Sequence, residues 1–534
     1  MALRRSARAQ RLKRVFLALP LLLATAGCSA GATSGPLSTT QPVATVPSST
    51  SSTSSSATTG SPAPTTTTTA PPASLGDLTT YGYGNARSDA DSVDRAIANL
   101  SPEAIWDDSL DGAVYGQPLV YDATVYVATE NDTIYAIAAR QGNVIWHLHV
   151  GTPATTAVID SAPTLSAGCG DIDPLGITGT PVIDTATNEI FAAEETEVGG
   201  TRWQDIEHWL VAVSLTTHEE LWHQQIDPPD GNDASSYYIA AEQQRPALTL
   251  FDGRLYVALG GLYGDCGQYH GYVVALAESG RGRLLSYEVP TQREGAIWGT
   301  GGAFVSPSGD LYVATGNGSS SQIADFDAGN SVIELSPTLQ RLGYWAPSNW
   351  VQLNDEDWDL GSAGPIGVAD SSLLFVAGKP AADGSFGYLM QDSPLGGIGQ
   401  GAVTGSVCLE GGSYGADATE RVKAADGLNV VYVYVPCGSG TEAVAVTRSS
   451  SSFSFERAWS PSTGSPSGPP IVAGGLVWAL DWHVGELYGM SPSTGHVSVL
   501  RPTAALAHFA TPAVGDGLVF VPTEGGVEAF GTVS

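Results

Sequence analysis

Carboxylate and amide side chains are grouped in glycine-containing loops, at a spacing similar to that of calcium-binding loops. The clearest group is Asp325, Asp327 and Asn330. Calcium takes several oxygen ligands, and a dedicated loop supplies them at fixed positions around a glycine. The group does not match the full motif, so we interpret it as a solvated turn. His270 has no His or Cys partner at zinc spacing, and we interpret it as a structural loop residue.

Five cysteines divide into one near the N-terminus and four in the body of the chain. The four are Cys169, Cys266, Cys408 and Cys437. An even number in an exported chain indicates disulfides, and three pairings can be drawn. We favour Cys169–Cys266, in equivalent loops of neighbouring repeats, together with Cys408–Cys437 within one repeat. The sequence contains no Cys-x-x-Cys-His motif, which excludes covalent c-type haem.

A unit of four short strands positions these residues, and it recurs along the chain. Its first copy runs from Gly112 to Val150, where strand-like alternation of apolar and polar residues is interrupted by turn signals. Four such strands cannot bury both faces alone, so the unit needs copies of itself on either side. Further copies begin at Gly179, Arg245, Gly302, Gly364, Ser406, Gly468 and Thr511.

The repetition predicts an all-β fold, an eight-bladed β-propeller, with seven blades as the alternative if the irregular sixth copy is miscounted. The last copy supplies only three strands before Phe530. We expect an N-terminal strand around Ile105 to complete the final blade, which would close the ring and bring Ile105 near Phe530. Tryptophans near the ends of repeats are expected to pack between blades: Trp106, Trp146, Trp222, Trp345 and Trp459.

The core of the repeat has a recognisable pattern. It combines an apolar-Tyr-Val-x-Thr strand, a Tyr-Ala strand and a closing Gly-x-x-Ile-Trp. This pattern resembles the pyrroloquinoline-quinone (PQQ) repeat propellers, which include quinoprotein alcohol dehydrogenases and non-enzymatic lipoproteins of outer-membrane assembly. The resemblance covers nearly everything after about residue 78. Because the same repeat serves enzymes and scaffolds, it implies the fold more directly than the activity.

Three further segments resemble the dehydrogenases and imply a site. By that resemblance, Glu197 and Asn317 are calcium ligands, Trp298 is the aromatic floor under the quinone, Asp359 is the general base and Lys379 is a cation beside the quinone oxygens. Such a set is chemically coherent, because calcium polarises a carbonyl while a carboxylate accepts the proton of the substrate. The vicinal cysteine pair of many alcohol dehydrogenases is absent, since Gly170 follows Cys169.

The net charge and the N-terminal region indicate which partners and which cellular compartment to expect. Acidic residues outnumber basic ones by 54 to 22, and the formal net charge is −32, so nucleic acid and anionic lipid surfaces are not expected partners. Residues 1–27, basic and then apolar, resemble a lipoprotein signal peptide, with an ordinary secretory signal as the alternative. Residues 28–75 are interpreted as a lipidated Cys28 followed by a disordered Ser/Thr/Pro-rich stalk, and residues 76–534 as the propeller.

Two functions are consistent with these observations. The preferred one is an exported lipoprotein propeller, anchored to the outer face of the bacterial cytoplasmic membrane, that binds a protein or small-molecule ligand on a propeller face without catalysis. It is expected to be a monomer that meets the membrane only through its lipid anchor. The alternative is a dehydrogenase of an alcohol or sugar, for which the resemblance implies PQQ and Ca²⁺ as cofactors.

Overall fold

The computed structural model describes residues 76–91, 97, 100–163, 165, 169–228, 239–380, 385–424, 427–450, 452–460 and 467–532. The chain divides into two compact units, Met1–Thr67 and Thr68–Ser534, and every described residue belongs to the second. The expected signal peptide, the lipidation of Cys28 and the stalk therefore lie outside the described residues.

Eight antiparallel sheets of four main strands each form the blades of a β-propeller, which confirms the predicted class and the count of eight over seven. Blade 1 comprises Leu119–Tyr121, Thr124–Thr129, Thr133–Ala138 and Val144–His149; blade 2 comprises Val182–Asp184, Glu189–Glu197, Ile206–Ser214 and Glu220–Gln225. Blade 3 comprises Thr249–Phe251, Arg254–Gly261, Tyr272–Ala277 and Leu285–Glu288; blade 4 comprises Phe304–Val305, Leu311–Ala314, Val332–Leu335 and Arg341–Ala346. Blade 5 comprises Ile366–Gly367, Leu373–Ala377, Ser385–Gln391 and Ala402–Cys408; blade 6 comprises Ala418–Lys423, Asn429–Cys437, Gly440–Arg448 and Phe453–Trp459. Blade 7 comprises Ile471–Ala473, Leu476–Asp481, Glu486–Met490 and Val497–Pro502; blade 8 comprises Ala513–Gly515, Leu518–Thr523, Gly526–Gly531 and Trp106–Ser109.

Short additions decorate this ring. Three extra strands join blades 3, 4 and 7: Glu242–Gln243, Gly397–Ile398 and Ala90–Asp91. The helices are Thr156–Ile159 and Trp350–Glu356, with 3₁₀ turns at Tyr81–Tyr83, Trp203–Asp205, Ile239–Ala241, Ile323–Asp325 and Leu360–Ser362. In the part of the chain that the structure describes, no helix has the length and apolarity needed to cross a membrane.

The ring closes through the N-terminal strand, as predicted. Trp106–Ser109 pairs antiparallel with Gly526–Gly531 and becomes the outermost strand of blade 8. Just ahead of it, the Ile105 N–H donates to the Ala529 carbonyl at 2.7 Å. This pairing gives the three C-terminal strands their fourth partner and covers an edge that would otherwise be open to association.

The apolar faces of the strands are buried between neighbouring blades. One cluster, for example, combines Phe191 of blade 2 with Leu255 of blade 3, and another combines Phe304 of blade 4 with Leu374 of blade 5. All four side chains are at most 2% exposed. A single blade has no partner for these faces, which is why the fold requires the complete ring.

The repeat-end tryptophans pack against the next blade, in the structural role predicted for them. A Cβ built on Gly142 would lie 2.7 Å from the Trp106 ring, and one on Gly495 would lie 2.5 Å from that of Trp459. The two indole N–H groups donate to backbone carbonyls at 2.9 and 3.0 Å. Both glycines also have positive φ, so this turn needs glycine for its conformation and for the space it leaves.

Both favoured disulfides are present, and one crosses a boundary that the sequence analysis misplaced. Cys169 pairs with Cys266 and Cys408 with Cys437. We expected Cys408 and Cys437 to lie within one repeat, but Cys408 ends the fourth strand of blade 5 and Cys437 ends the second strand of blade 6. The bond therefore joins two neighbouring blades.

The central channel is filled at one end by residues 76–91, which we call the axial segment. The first strand of each blade lines the channel, and the axial segment hydrogen-bonds to all eight of them. The contacts, in blade order, are Leu78 with Val120, Thr79 with Ile183, Asn85 with Leu250, Asn85 with Val305, Ala86 with Gly367, Ser88 with Thr419, Asp89 with Val472 and Tyr83 with Val514. We call this end the lower mouth and the opposite end the upper mouth.

Arg87 holds the axial segment together from within. Its side chain is 0% exposed. The guanidinium donates to the Thr80 hydroxyl and the Tyr81 carbonyl, and to the Leu248 carbonyl and Thr249 hydroxyl of blade 3, at 2.6–3.0 Å. Burial lowers the pKa of Arg87 to about 10, against the attraction of Asp89, and the group stays charged at neutral pH.

We predict that Arg87→Leu strongly destabilises the whole ring. The substitution leaves four acceptors without donors and Asp89 without its compensating charge, which should lower the free energy of unfolding by about 3–5 kcal/mol. Urea unfolding followed by tryptophan fluorescence measures the change. The matched control is Arg283→Leu at an exposed position, expected within about 0.5 kcal/mol of the parent. Equal unfolding curves for the two variants would contradict this role.

Candidate functional site

An open basin of about 820 Å³ occupies the upper mouth. Most of its lining comes from the segments that precede the first strands of different blades. Its aromatic members are Tyr263, Trp298, Trp358, Tyr414, Trp482 and Phe509, and its charged members are Asp171, Arg245, Asp265, Glu356, Asp357, Asp359, Lys379 and the titratable His508.

The axial segment lies beneath this basin. The buried Tyr81 hydroxyl is 3.3 Å from the Thr300 hydroxyl and 3.2 Å from that of Thr511. Thr300 and Thr511 follow the basin residues Trp298 and Phe509 by two positions each. The basin is therefore a cup with a protein floor rather than one end of an open pore.

Phe509 lies at the centre of the aromatic walls. Its ring stacks on Tyr414 with the centroids 5.4 Å apart and the planes 6° apart, and it lies 6.3 Å from Trp298 and 6.2 Å from Trp482. The backbone of Phe509 is in the left-handed region, with φ 62°, which is unusual for a bulky residue. Such positions are held by their surroundings and occur preferentially at ligand sites.

Lys379 joins two carboxylates at the side of the basin. Its Nζ lies 2.9 Å from Oδ2 of Asp359 and 2.7 Å from Oδ1 of Asp357. The same ammonium is 5.7 Å from the centre of the Trp298 ring, within reach of a cation–π contact. Three of the residues implied by the resemblance, Trp298, Asp359 and Lys379, therefore lie together.

The charges of this group stabilise one another. Burial disfavours the ammonium of Lys379, but the attraction of Asp359 and Asp357 outweighs it and raises the pKa of Lys379. Burial also raises the pKa of Asp359, and the charge of Lys379 partly offsets that rise. Only Asp359 is shielded, since its side chain is 9% exposed whereas that of Asp357 is 65% exposed.

Asn317 lies beside this group, with its amide already engaged. Its backbone N–H donates to Oδ1 of Asp359 at 2.6 Å, and its side-chain amide donates to Asp357 at 2.9 Å. Its side-chain oxygen accepts from Asn330 at 3.0 Å. The interpretation of this loop as a solvated turn holds for Asp325, which is exposed, but not for Asp327 and Asn330, which are 8% and 0% exposed. The role of the loop is to hold Asn317 and the backbone at Leu360 in place.

Glu197 is not part of this arrangement. It ends the second strand of blade 2, and its carboxylate accepts hydrogen bonds from the backbone N–H and the hydroxyl of Thr155. Among the described residues that line the basin, Glu197 is absent. The structure brings four of the five implied residues together and leaves the two implied calcium ligands, Glu197 and Asn317, with separate partners.

The residues at the basin do not fit a calcium ion in this arrangement. Both carboxylate oxygens of Asp359 have donors, the Asn317 oxygen has one, and the ammonium of Lys379 already supplies the positive charge between the carboxylates. Within the described ranges, no three His, Cys, Asp or Glu side chains are grouped so as to hold a metal. Calcium ligation needs several free oxygens, which this set does not offer.

The inner end of the basin contains residues that the sequence analysis did not single out. The Arg245 guanidinium lies 4.8 Å from the centre of the Phe509 ring, and His508 Nε2 lies 3.4 Å from Asp171. Burial and the charge of Arg245 lower the pKa of His508 to about 3, so the imidazole is neutral. Their shared position just ahead of a first strand is the signal that could have pointed to Arg245 and Phe509.

Comparisons with known proteins agree with this architecture. The family model described as outer membrane protein assembly factor BamB matches residues 96–334. A quinohemoprotein alcohol dehydrogenase of Comamonas testosteroni is 24% identical over 302 residues, which is 50% of this chain and only 36% of that relative. Residues 96–334 therefore match the PQQ-repeat family, and the described ring has the β-propeller fold of these relatives.

Several solved structures share the propeller fold. The crystal structure of the Comamonas testosteroni enzyme has a TM-score of 0.57 at 15% identity, covering 86% of this chain and 81% of that one. A europium-containing methanol dehydrogenase has a TM-score of 0.59 at 14% identity, and the match covers 86% of this chain and 98% of that one. BamB from Moraxella catarrhalis has a TM-score of 0.51 at 13% identity, and the match covers 81% of this chain and 99% of that one. Enzymes and an assembly factor therefore share this fold with the chain.

We predict unequal effects when the two carboxylates beside Lys379 are neutralised. Asp359→Asn removes the shielded partner and leaves a poorly solvated ammonium, so the free energy of unfolding should fall by about 2–4 kcal/mol. Asp357→Asn, the matched control, removes an exposed partner and should cost about 0–1 kcal/mol. Urea unfolding at neutral pH measures both. Equal losses of unfolding free energy in the two variants would show that Asp359 is not the main partner of the Lys379 ammonium.

Proposed function

We propose that this PQQ-repeat propeller is a ligand-binding module that takes a small molecule into the basin of the upper mouth. The observation that carries the proposal is the aromatic cup itself, in which Trp298, Tyr414, Trp482 and Phe509 surround a floored cavity of about 820 Å³. Pockets for small molecules are concave, mostly apolar and aromatic, with a few polar groups that orient the ligand. A cup of this size accommodates one flat or ring-containing ligand.

The location of the basin residues supports a binding role. They come from different blades of the ring, and the Asp359 carboxylate that pairs with Lys379 also accepts a hydrogen bond from the Asn317 N–H. A ligand therefore meets groups that are already oriented, so little binding free energy is spent on reorganising the protein. Monomeric action is sufficient for such binding, because one chain supplies the whole cup.

Export and membrane anchoring are a further part of the proposal. They are supported by the basic and then apolar residues 1–27, by Cys28 directly after them, and by the Ser/Thr/Pro-rich composition of residues 28–75. The two disulfides agree with an oxidising compartment outside the cytoplasm. We propose that the propeller is held at the outer face of the cytoplasmic membrane by lipid on Cys28.

A second candidate is a PQQ-dependent dehydrogenase of an alcohol or sugar. Two observations favour it: relatives that are alcohol and methanol dehydrogenases by name, and the meeting of Trp298, Asp359 and Lys379 in one basin. A flat quinone could stack on the aromatic walls. The separation of Glu197 from Asn317 and the engaged oxygens of Asp359 count against the calcium part of this candidate.

We predict that small ring-containing ligands raise the melting temperature of the purified chain and that Trp298→Ala abolishes the shift. The reason is that binding to the folded state alone stabilises it, and Trp298 supplies part of the stacking surface. Thermal shift across sugars, alcohols and aromatic compounds measures this, followed by calorimetry. Leu428→Ala, an exposed apolar position on a turn of blade 6, is the control and should keep the shift. Equal shifts in Trp298→Ala would place binding elsewhere and contradict the proposal.

The same titration separates the two candidates. PQQ is added with and without Ca²⁺, and dye reduction is followed with alcohols and sugars. Dye reduction that requires both PQQ and Asp359 would favour the dehydrogenase. Saturable binding without dye reduction supports the binding module. Absence of PQQ binding removes the second candidate, whatever the other ligands do.

We predict that the mature chain is membrane-bound and carries fatty acid when expressed in a bacterial host that processes lipoproteins, and that Cys28→Ala abolishes the fatty-acid label. Without the thiol no diacylglycerol is attached, whether or not the apolar signal segment is cleaved. Fractionation and labelling with a radioactive fatty acid measure this. Cys266→Ala, at a cysteine in the folded body, should keep the label. Label that persists in Cys28→Ala would contradict the anchor.

A further inference from the structure

Arg245 is a charged group at the basin that forms no salt bridge with the described residues. Among the residues that the structure describes, no carboxylate forms a salt bridge with it, and its Nη2 is shielded from solvent without a hydrogen-bond partner. Its pKa is lowered by burial, which indicates how poorly the guanidinium is solvated. Shielding a charge from water without a partner is costly, so an anion that reached this guanidinium would be bound favourably.

The neighbouring acids do not complete this charge. Among the neighbouring acids, Asp171 has the strongest electrostatic effect on Arg245. Its carboxylate, however, lies 3.4 Å from His508 Nε2 and is partly exposed to solvent. One carboxylate oxygen of Glu130 accepts hydrogen bonds from the Gly176 N–H and the Thr178 hydroxyl. Burial raises the pKa of Glu130 to about 8, so this carboxyl group is mostly neutral at pH 7. His508 is neutral and carries no competing charge.

The Phe509 ring lies against the guanidinium of Arg245. The ring lies 4.8 Å from the central carbon of Arg245, at cation–π distance, and its backbone is in the left-handed region. The same ring is one of the stacking walls of the basin. Arg245 and Phe509 both line the basin, so a ligand that stacks there lies next to the guanidinium.

We propose that Arg245 is the anion-binding residue of the basin and that the ligand is an aromatic monocarboxylate, with its ring between the aromatic walls and its carboxylate on the guanidinium. This inference rests on the proposed function and names its ligand class. A guanidinium presents parallel N–H donors that match a carboxylate, while flat rings match the faces of Tyr414, Trp482 and Phe509.

The charge of the basin restricts the ligand to one negative charge. Five acidic residues line it, against Arg245 and Lys379, and Lys379 is already bound to two of those acids. Each additional carboxylate on a ligand would meet acidic residues such as Asp171 and Asp265 rather than a free cation. Like charges at short range in a partly buried site are repulsive.

The test compares three probes of similar shape by isothermal titration calorimetry on the purified chain. They are 2-naphthoate, its neutral analogue 2-naphthamide, and the dianion 2,6-naphthalenedicarboxylate. We expect 2-naphthoate to bind about tenfold more tightly than either of the others, since only it satisfies Arg245 without adding a second charge. Arg245→Gln should remove this preference, and Arg245→Lys should retain part of it.

The matched control is Arg421→Gln, at an exposed arginine of blade 6 that pairs with Asp370. It should bind 2-naphthoate like the parent. Melting curves of the Arg245 variants establish that they are folded, and Arg245→Lys keeps the positive charge if Arg245→Gln unfolds. Equal affinity for acid and amide, or full acid affinity in folded Arg245→Gln, overturns the inference.

Failure of this inference and failure of the proposed function give different results. If another ligand class binds and Trp298→Ala abolishes that binding, the basin is a ligand site and only the assignment of Arg245 falls. If 2-naphthoate binds equally well to the parent and to Trp298→Ala, binding is outside the basin and both fall. A preference for the dianion would overturn the single-charge argument.

Discussion

Hydrogen bonding between the axial segment and the first strand of every blade is the constraint on which the rest of this structure depends. Eight first strands face a channel, and each has backbone groups that need partners once water is excluded. Residues 76–91 supply partners to all eight strands, and the side chain of Arg87 is buried within the segment. The blades are thus linked both to their neighbours and to one common element.

The same constraint makes the upper mouth a site. Because the axial segment closes the channel from below, the segments ahead of the first strands form a cup, and the Tyr81 hydroxyl links the axial segment to two of those segments through Thr300 and Thr511. The groups in that cup differ in how well they are satisfied. Lys379 has two carboxylates, whereas Arg245 has no salt bridge among the described residues. This difference between the two cations, more than the aromatic content, indicates that a ligand would supply a negative charge at the Arg245 end of the basin.

Much of the fold could be predicted from sequence because it depends on periodic features. Alternating strands, the missing fourth strand after Phe530, the wedge role of Trp106 and the two disulfides all follow from local patterns or simple counting. The axial segment could not be predicted, since its short backbone contacts need no apolar periodicity. The boundary between blades 5 and 6 was misplaced because Cys408 belongs to a strand that reads equally well as the start of the next repeat.

The site was predictable only in part, for a related reason. Trp298, Asp359 and Lys379 belong to recognisable segments and meet in the structure, whereas Glu197 matches such a segment and lies elsewhere. Arg245 and Phe509 carry no motif, because they are brought together by ring geometry alone. The entry of the chain along the axis also has a mechanical consequence. Tension applied ahead of Gly76 reaches the axial segment before the closing strand Trp106–Ser109, so pulling would shear contacts with all eight blades before peeling the seam of the ring.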